Sequence, residues 1–139
     1  MSLQTGFIGL GLMGQPMCQR LLGAGVPLHV WNRSAGKTAA LQAAGASVAP
    51  SIAALVASCD IIMLCVSDTA AVESVVFGAG GIAEHGRAGQ LLVDFSSIAP
   101  DATRQFAQRL AASCGVRWVD APVSGGVKGA ESGQLVIMA

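Results

Sequence analysis

Apolar, strand-like runs alternate with Ala-rich helical stretches along the chain. Strands are predicted over residues 5–10, 28–32, 46–49, 60–66, 90–95 and 116–120. Helices are predicted over 13–24, 35–44, 52–58, 70–77 and 100–113, with a Gly-rich bend at 78–81. A Gly-rich segment follows at 124–133, and 134–138 reads as one more strand. The strong runs, such as Ile61-Ile62-Met63-Leu64-Cys65-Val66, are continuously apolar rather than alternating. Strands buried on both faces read that way, because helices cover both sides of a parallel sheet. Regular β–α alternation with short loops therefore predicts an α/β fold, a doubly wound and mainly parallel sheet with right-handed crossovers.

Composition narrows the function classes. The 139 residues suit one domain. Eight basic and eight acidic residues leave no net charge, which argues against a nucleic-acid surface. Hydrophobic residues make up 53% and charged residues 12%, a balance that excludes intrinsic disorder. So apolar a chain is expected to have part of its surface covered by a cofactor, a second subunit or a further domain. No apolar run approaches the roughly 18 residues of a membrane span. Residues 1–5 carry no signal-peptide pattern. Cys18, Cys59, Cys65 and Cys114 form no Cys-x-x-Cys and have no His spaced to complete a zinc set. They read as reduced core thiols of a cytoplasmic protein, with no metal expected. The run Val136-Ile137-Met138-Ala139 stops inside an apolar stretch, so further sequence is expected beyond it.

Eighteen glycines need a reason, since glycine weakens helices and strands. Gly9-Leu10-Gly11-Leu12-Met13-Gly14 is G-x-G-x-x-G, placed between a predicted strand and a predicted helix. That context is what a dinucleotide-binding turn requires. Gly9 permits the tight turn, Gly11 lets backbone approach a pyrophosphate, and Gly14 lets the helix pack on the strand. The helix start offers free amides and partial positive charge to phosphates. Pro16 falls in the first turn, where a missing amide does least harm.

An acidic residue at the end of the second strand would bond the ribose 2′-hydroxyl of NAD. That place reads Trp31-Asn32-Arg33-Ser34, with a cation and short polar side chains and no acid. The residues favour NADP, with NAD possible. Gly36-Lys37-Thr38 imitates the tail of a nucleotide-binding P-loop, but Trp31 stands where the first glycine is needed and the stretch lies in the second helix. Three further segments lie at predicted C-terminal strand ends, where open α/β sheets bind ligands: Val66-Ser67-Asp68-Thr69, the stretch from Asp94 to Pro100, and the stretch from Asp120 to Ala130.

The ordered set Gly6-Phe7-Ile8-Gly9-Leu10-Gly11-Leu12-Met13-Gly14, Asp94-x-Ser96-Ser97-Ile98-x-Pro100 and Asp120-Ala121-Pro122-Val123-Ser124-Gly125-Gly126 resembles the β-hydroxyacid dehydrogenases. These include 3-hydroxyisobutyrate dehydrogenase and tartronate semialdehyde reductase types. The resemblance runs over essentially the whole chain and is nearest to the tartronate semialdehyde reductase (2-hydroxy-3-oxopropionate reductase) branch. Imine reductases and glyoxylate/succinic semialdehyde reductases share much of the pattern.

It implies a Rossmann domain over residues 1–139 that binds a nicotinamide cofactor. Residues Gly9, Leu10, Gly11, Leu12, Met13 and Gly14 would hold the pyrophosphate, and Asn32, Arg33 and Ser34 would meet the adenosine ribose. Val66 and Ser67 would line the groove, with Ser97 near the nicotinamide ribose. Ser124, Gly125 and Gly126 would anchor the carboxylate of a small hydroxy or oxo acid. The parent would be an NADP-dependent reductase of a small semialdehyde acid, homo-oligomeric through an all-helical second domain.

Hydride transfer to an aldehyde also needs a proton donor. His29 lies in the second strand, His85 in a polar loop, and the family gives the place of Lys128 no acid–base role. The family's catalytic lysine lies beyond Ala139, so no catalytic residue is assigned within the chain. The alternative class is a non-catalytic nucleotide-binding module.

Overall fold

A computed structural model describes residues 3–139. Met1 and Ser2, part of the segment tested for a signal peptide, lie outside the described residues. Six parallel strands form the main sheet in the order β3-β2-β1-β4-β5-β6. They are β1 (Thr5–Ile8), β2 (Leu28–Trp31), β3 (Ser47–Val48), β4 (Ile61–Leu64), β5 (Leu91–Asp94) and β6 (Arg117–Asp120). The order reverses at β1: the chain first winds outward through β2 and β3, then returns to β4 on the other side. The α/β doubly wound prediction is borne out.

Register divides the core. Ile8, Leu64 and Asp94 stand level on neighbouring strands and share one face. That face packs on α3 (Ile52–Ser58), α4 (Thr69–Phe77), α5 (Ile82–His85) and α6 (Pro100–Cys114), through Leu55, Val72, Ile82, Phe106 and Leu110. The opposite face, with Phe7, Val30 and Met63, packs on α1 (Gly14–Gly23), α2 (Ala39–Ala43) and α7 (Gly126–Ser132), through Met17, Cys18, Leu41 and Ala130. Because each strand serves both layers, its apolar run is unbroken. On the first face Trp118 packs against Phe106, whose ring also meets Phe77, and the Arg109 guanidinium lies 4.0 Å over Phe77.

Several expectations need correction. The helix expected over 35–44 divides into a 3-10 turn, Ala35–Lys37, and the short α2, because Gly36 weakens helix propagation. Gly36 and Lys37 of the P-loop look-alike, expected inside the second helix, thus lie in that turn, and Thr38 precedes α2. His85 ends α5 rather than sitting in a loop; Gly81 and Gly86 flank this four-residue helix. The segment 124–133 is not a plain Gly-rich loop: it holds α7, with Gly125 at φ +126° before it and Gly133 at φ +71° after it. The last predicted strand is β8 (Val136–Ile137), which pairs antiparallel with β7 (Val123–Ser124) outside the main sheet.

Candidate functional site

The C-terminal ends of β1, β2 and β4 open onto a cleft of about 840 Å³. The chain leaves β1 through a turn that only glycine can make at two of its positions. Gly9 has φ +100°, and a Cβ there would lie 2.1 Å from the Cys65 carbonyl oxygen. A Cβ on Gly14 would lie 1.8 Å from the Gly9 carbonyl oxygen. These two glycines serve the fold. Gly11 differs: a Cβ there would meet nothing within 4 Å, so no protein contact explains its missing side chain.

Behind this turn α1 begins without a side-chain cap, whereas Ser51 caps α3 and Asp68 caps α4 through their oxygens. Among the described residues the amides of Gly11, Leu12 and Met13 make no hydrogen bond. They sit where the first helical amides lack intrahelical partners, at the positive end of the helix. Such a place is suited to an anion.

The β2 end supplies one flank. Asn32 Oδ1 accepts the Leu10 amide at 2.9 Å, and Asn32 Nδ2 donates to the Ser34 carbonyl at 3.2 Å. Its carboxamide thus holds the turn. Leu10, expected beside a pyrophosphate, is turned into the core, 1% exposed, with its amide already taken. Arg33 is exposed, lines the cleft, and takes part in none of the ion pairs among the described residues. Ser34 is exposed beyond the cleft lining. Trp31 forms part of the wall.

The β4 and β5 ends supply the other flank. Val66 and Ser67 line the cleft. The Val66 amide donates to Ser96 Oγ at 2.9 Å, and the Ser96 amide donates to Asp94 Oδ1 at 2.9 Å. Ser96 is 2% exposed and Asp94 wholly buried, with Oδ2 unpartnered. Burial raises the Asp94 carboxyl above its ordinary range; hydrogen bonds from Ser96 oppose this, and nearby Asp120 adds to it. Asp94 and Ser96 stand in the motif read from the sequence, but neither was given a role there. The available signal was an acid ending an apolar strand, with a hydroxyl two residues on. Ser97 is exposed and outside the cleft lining.

The structure therefore gathers Gly9, Gly11, Leu12, Met13, Gly14, Asn32, Arg33, Val66 and Ser67 around one space. It does not bring Ser124, Gly125 or Gly126 there; they are exposed around β7 and the start of α7. A second hollow of about 520 Å³, lined partly by Gln15, Lys37, Val127 and Glu131, shares Gly11 and Leu12 with the cleft. His29 in β2 bonds Gln4, just before β1, at 3.2 Å, and His85 lies 3.9 Å from Glu84. The ionisable side chains of the cleft lining are Arg33 and Cys65. Burial, with a smaller push from Asp94, raises the Cys65 thiol to about 11, so it stays protonated at neutral pH. Among the described residues no group of three or more His, Cys, Asp or Glu could hold a metal.

Residues 4–139 match the family described as the NAD binding domain of 6-phosphogluconate dehydrogenase. The chain belongs to that family. This NAD-binding domain is 42% identical over 137 residues to the 2-(hydroxymethyl)glutarate dehydrogenase of Eubacterium barkeri, covering 99% of the chain and 45% of that protein. Its fold superposes on the structure titled Psf3 in complex with NADP+ and 2-OPP with a TM-score of 0.90 and 38% identity, over 96% of this chain and 47% of that one. It superposes on the Mycobacterium tuberculosis 3-hydroxyisobutyrate dehydrogenase, determined with L-serine, with a TM-score of 0.87 and 30% identity, over 99% and 46%. The resemblance to β-hydroxyacid dehydrogenases is borne out, and the NAD-binding domain spans about half the length of these relatives.

Proposed function

We propose that the chain is the cofactor-binding portion of an NADP-dependent oxidoreductase that reduces a small semialdehyde acid to a hydroxy acid, in the manner of 2-hydroxy-3-oxopropionate reductase. One observation carries the cofactor reading: the open space over Gly11, beside three unbonded amides at the start of α1. A pyrophosphate fits both the space and the donors. Leu12 and Met13 amides would bond its oxygens, with Gly9 and Gly14 shaping the turn beneath.

Arg33, exposed in the cleft lining and in no ion pair among the described residues, would meet a 2′-phosphate, with Ser34 beside it and Asn32 setting their position. Val66 and Ser67 would line the groove toward the nicotinamide, and Ser97 would approach its ribose. The bound cofactor would supply hydride chemistry. Ser124, Gly125 and Gly126 would anchor the substrate carboxylate from the neighbouring loop. The cleft lining offers no proton donor that works near neutral pH, so turnover would need a donor from outside it. Residues 1–139 would form one such domain of a homo-oligomer. No helix among the described residues is long and apolar enough to cross a membrane, and the free thiols support a cytoplasmic setting.

Fluorescence titration tests the reading. NADPH should bind the chain more tightly than NADH, and Arg33→Asp should reverse that order. Equal affinities would remove the NADP assignment, and no binding of either nucleotide would remove the cofactor.

A further inference from the structure

The end of β5 touches the loops on both sides of it. The Phe95 amide bonds the Leu64 carbonyl at 2.8 Å, and the Asp94 carbonyl accepts the Ala121 amide at 2.9 Å. Between these backbone links lies a chain of bonds made by two buried side chains, Ser96 and Asp94. The Val66 amide donates to Ser96 Oγ, and the Ser96 amide donates to the Asp94 carboxyl. Two polar side chains in an apolar interior are costly to keep, and an ordinary loop amide at a strand end can face water. Here the amide is turned inward and fixed, so Val66 and Ser67 present one defined surface to the cleft.

Sheet order says which part of a dinucleotide that surface meets. Arg33 follows β2 and Val66 follows β4, on opposite sides of β1 and its glycine turn. With the 2′-phosphate at Arg33 and the pyrophosphate over Gly11, the other nucleoside lies across β1, toward β4 and β5. We propose that Asp94 and Ser96 are positioning residues that set Val66 and Ser67 against the nicotinamide half of the cofactor; this rests on the cofactor reading above. The adenosine half is set independently, through Asn32 and the β2 end.

The test separates the two halves. Calorimetric titration of the chain with NADPH and with adenosine 2′,5′-bisphosphate is compared for Ser96→Ala and Asp94→Asn, together with amide exchange by NMR. Ser96→Ala should weaken NADPH about tenfold, leave the bisphosphate within about twofold, and speed exchange of the Val66 amide but not of the Cys65 amide, which bonds the Ile8 carbonyl. Asp94→Asn keeps the oxygen that Ser96 bonds and should retain NADPH affinity. Ser96→Cys, close in size with a poor acceptor, carries the Ser96→Ala expectation if the alanine variant does not fold. In Ser96→Ala, a parallel loss of both ligands, an unchanged NADPH affinity, or an unmoved Val66 exchange would each overturn the proposal. An unsubstituted chain that binds neither ligand would overturn the cofactor reading instead, and the assignment to its nicotinamide half with it.

Discussion

The two flanks of the cleft are held by the same device at different depths. On the β2 side a half-buried carboxamide, Asn32, takes the Leu10 amide at 2.9 Å. On the β5 side a buried hydroxyl, Ser96, takes the Val66 amide at the same distance and is itself held by a buried carboxyl. Water can replace a partner on the first flank and cannot easily do so on the second. A broken bond should therefore cost little at the rim and more at the floor, because a buried unpaired group keeps its full desolvation penalty.

The harshest way to break the comparison is to remove the turn between the flanks. Gly14→Ala places a methyl 1.8 Å from the Gly9 carbonyl oxygen. It should cost about 3 kcal/mol in urea unfolding and abolish NADPH binding. Next, Asp94→Ala leaves the Ser96 amide unpaired in the interior and should cost about 2 kcal/mol, against about 1 kcal/mol for Asn32→Ala. Equal losses would erase the distinction between floor and rim.

A pH series sharpens it further. The folded state holds the Asp94 proton more tightly than the unfolded chain, where the carboxyl has its ordinary value of 3.8. The stabilisation from that proton is complete below the unfolded value and is lost as pH rises through the raised folded value. Asp94→Asn cannot ionise, so its stability relative to the parent should grow between about pH 4 and about pH 8. A difference that stays flat across urea titrations at those two pH values would show that the carboxyl titrates alike in both states. The smallest effect on folding is expected at Gly11→Ala, within about 0.5 kcal/mol, since the added methyl meets no protein atom. The same variant should still weaken NADPH, and an unaltered affinity would deny that anything lies over that glycine.

The rim was the more legible flank. Local spacing carries it: a glycine turn, a helix start, and a polar triplet after the second strand all lie within the first βαβ unit, and the sheet follows from unbroken apolar runs. The floor was less so, because Ser96 meets Val66 across 30 residues of sequence. Its neighbour Ser97 carried the expectation, yet Ser97 is exposed and Ser96 is the serine turned inward. Asn32 was read as a ribose contact; its inward bond to Leu10 depends on how the strand ends lie side by side. The region after β6 was hardest to read. Glycines at both ends of α7 hid a helix anchored by the buried Ala130, and a two-residue strand such as β7 leaves no periodic trace.

The placement of the two tryptophans gives the molecule an optical gauge of its own. Trp31 stands in the cleft wall, where its emission colour follows the water that an occupant would displace. Trp118 is packed against Phe106 with its Nε1 already closed off, so it contributes a steady background. A blue shift on adding an oxidised nucleotide can thus be read as Trp31 drying out, without any label attached to the chain.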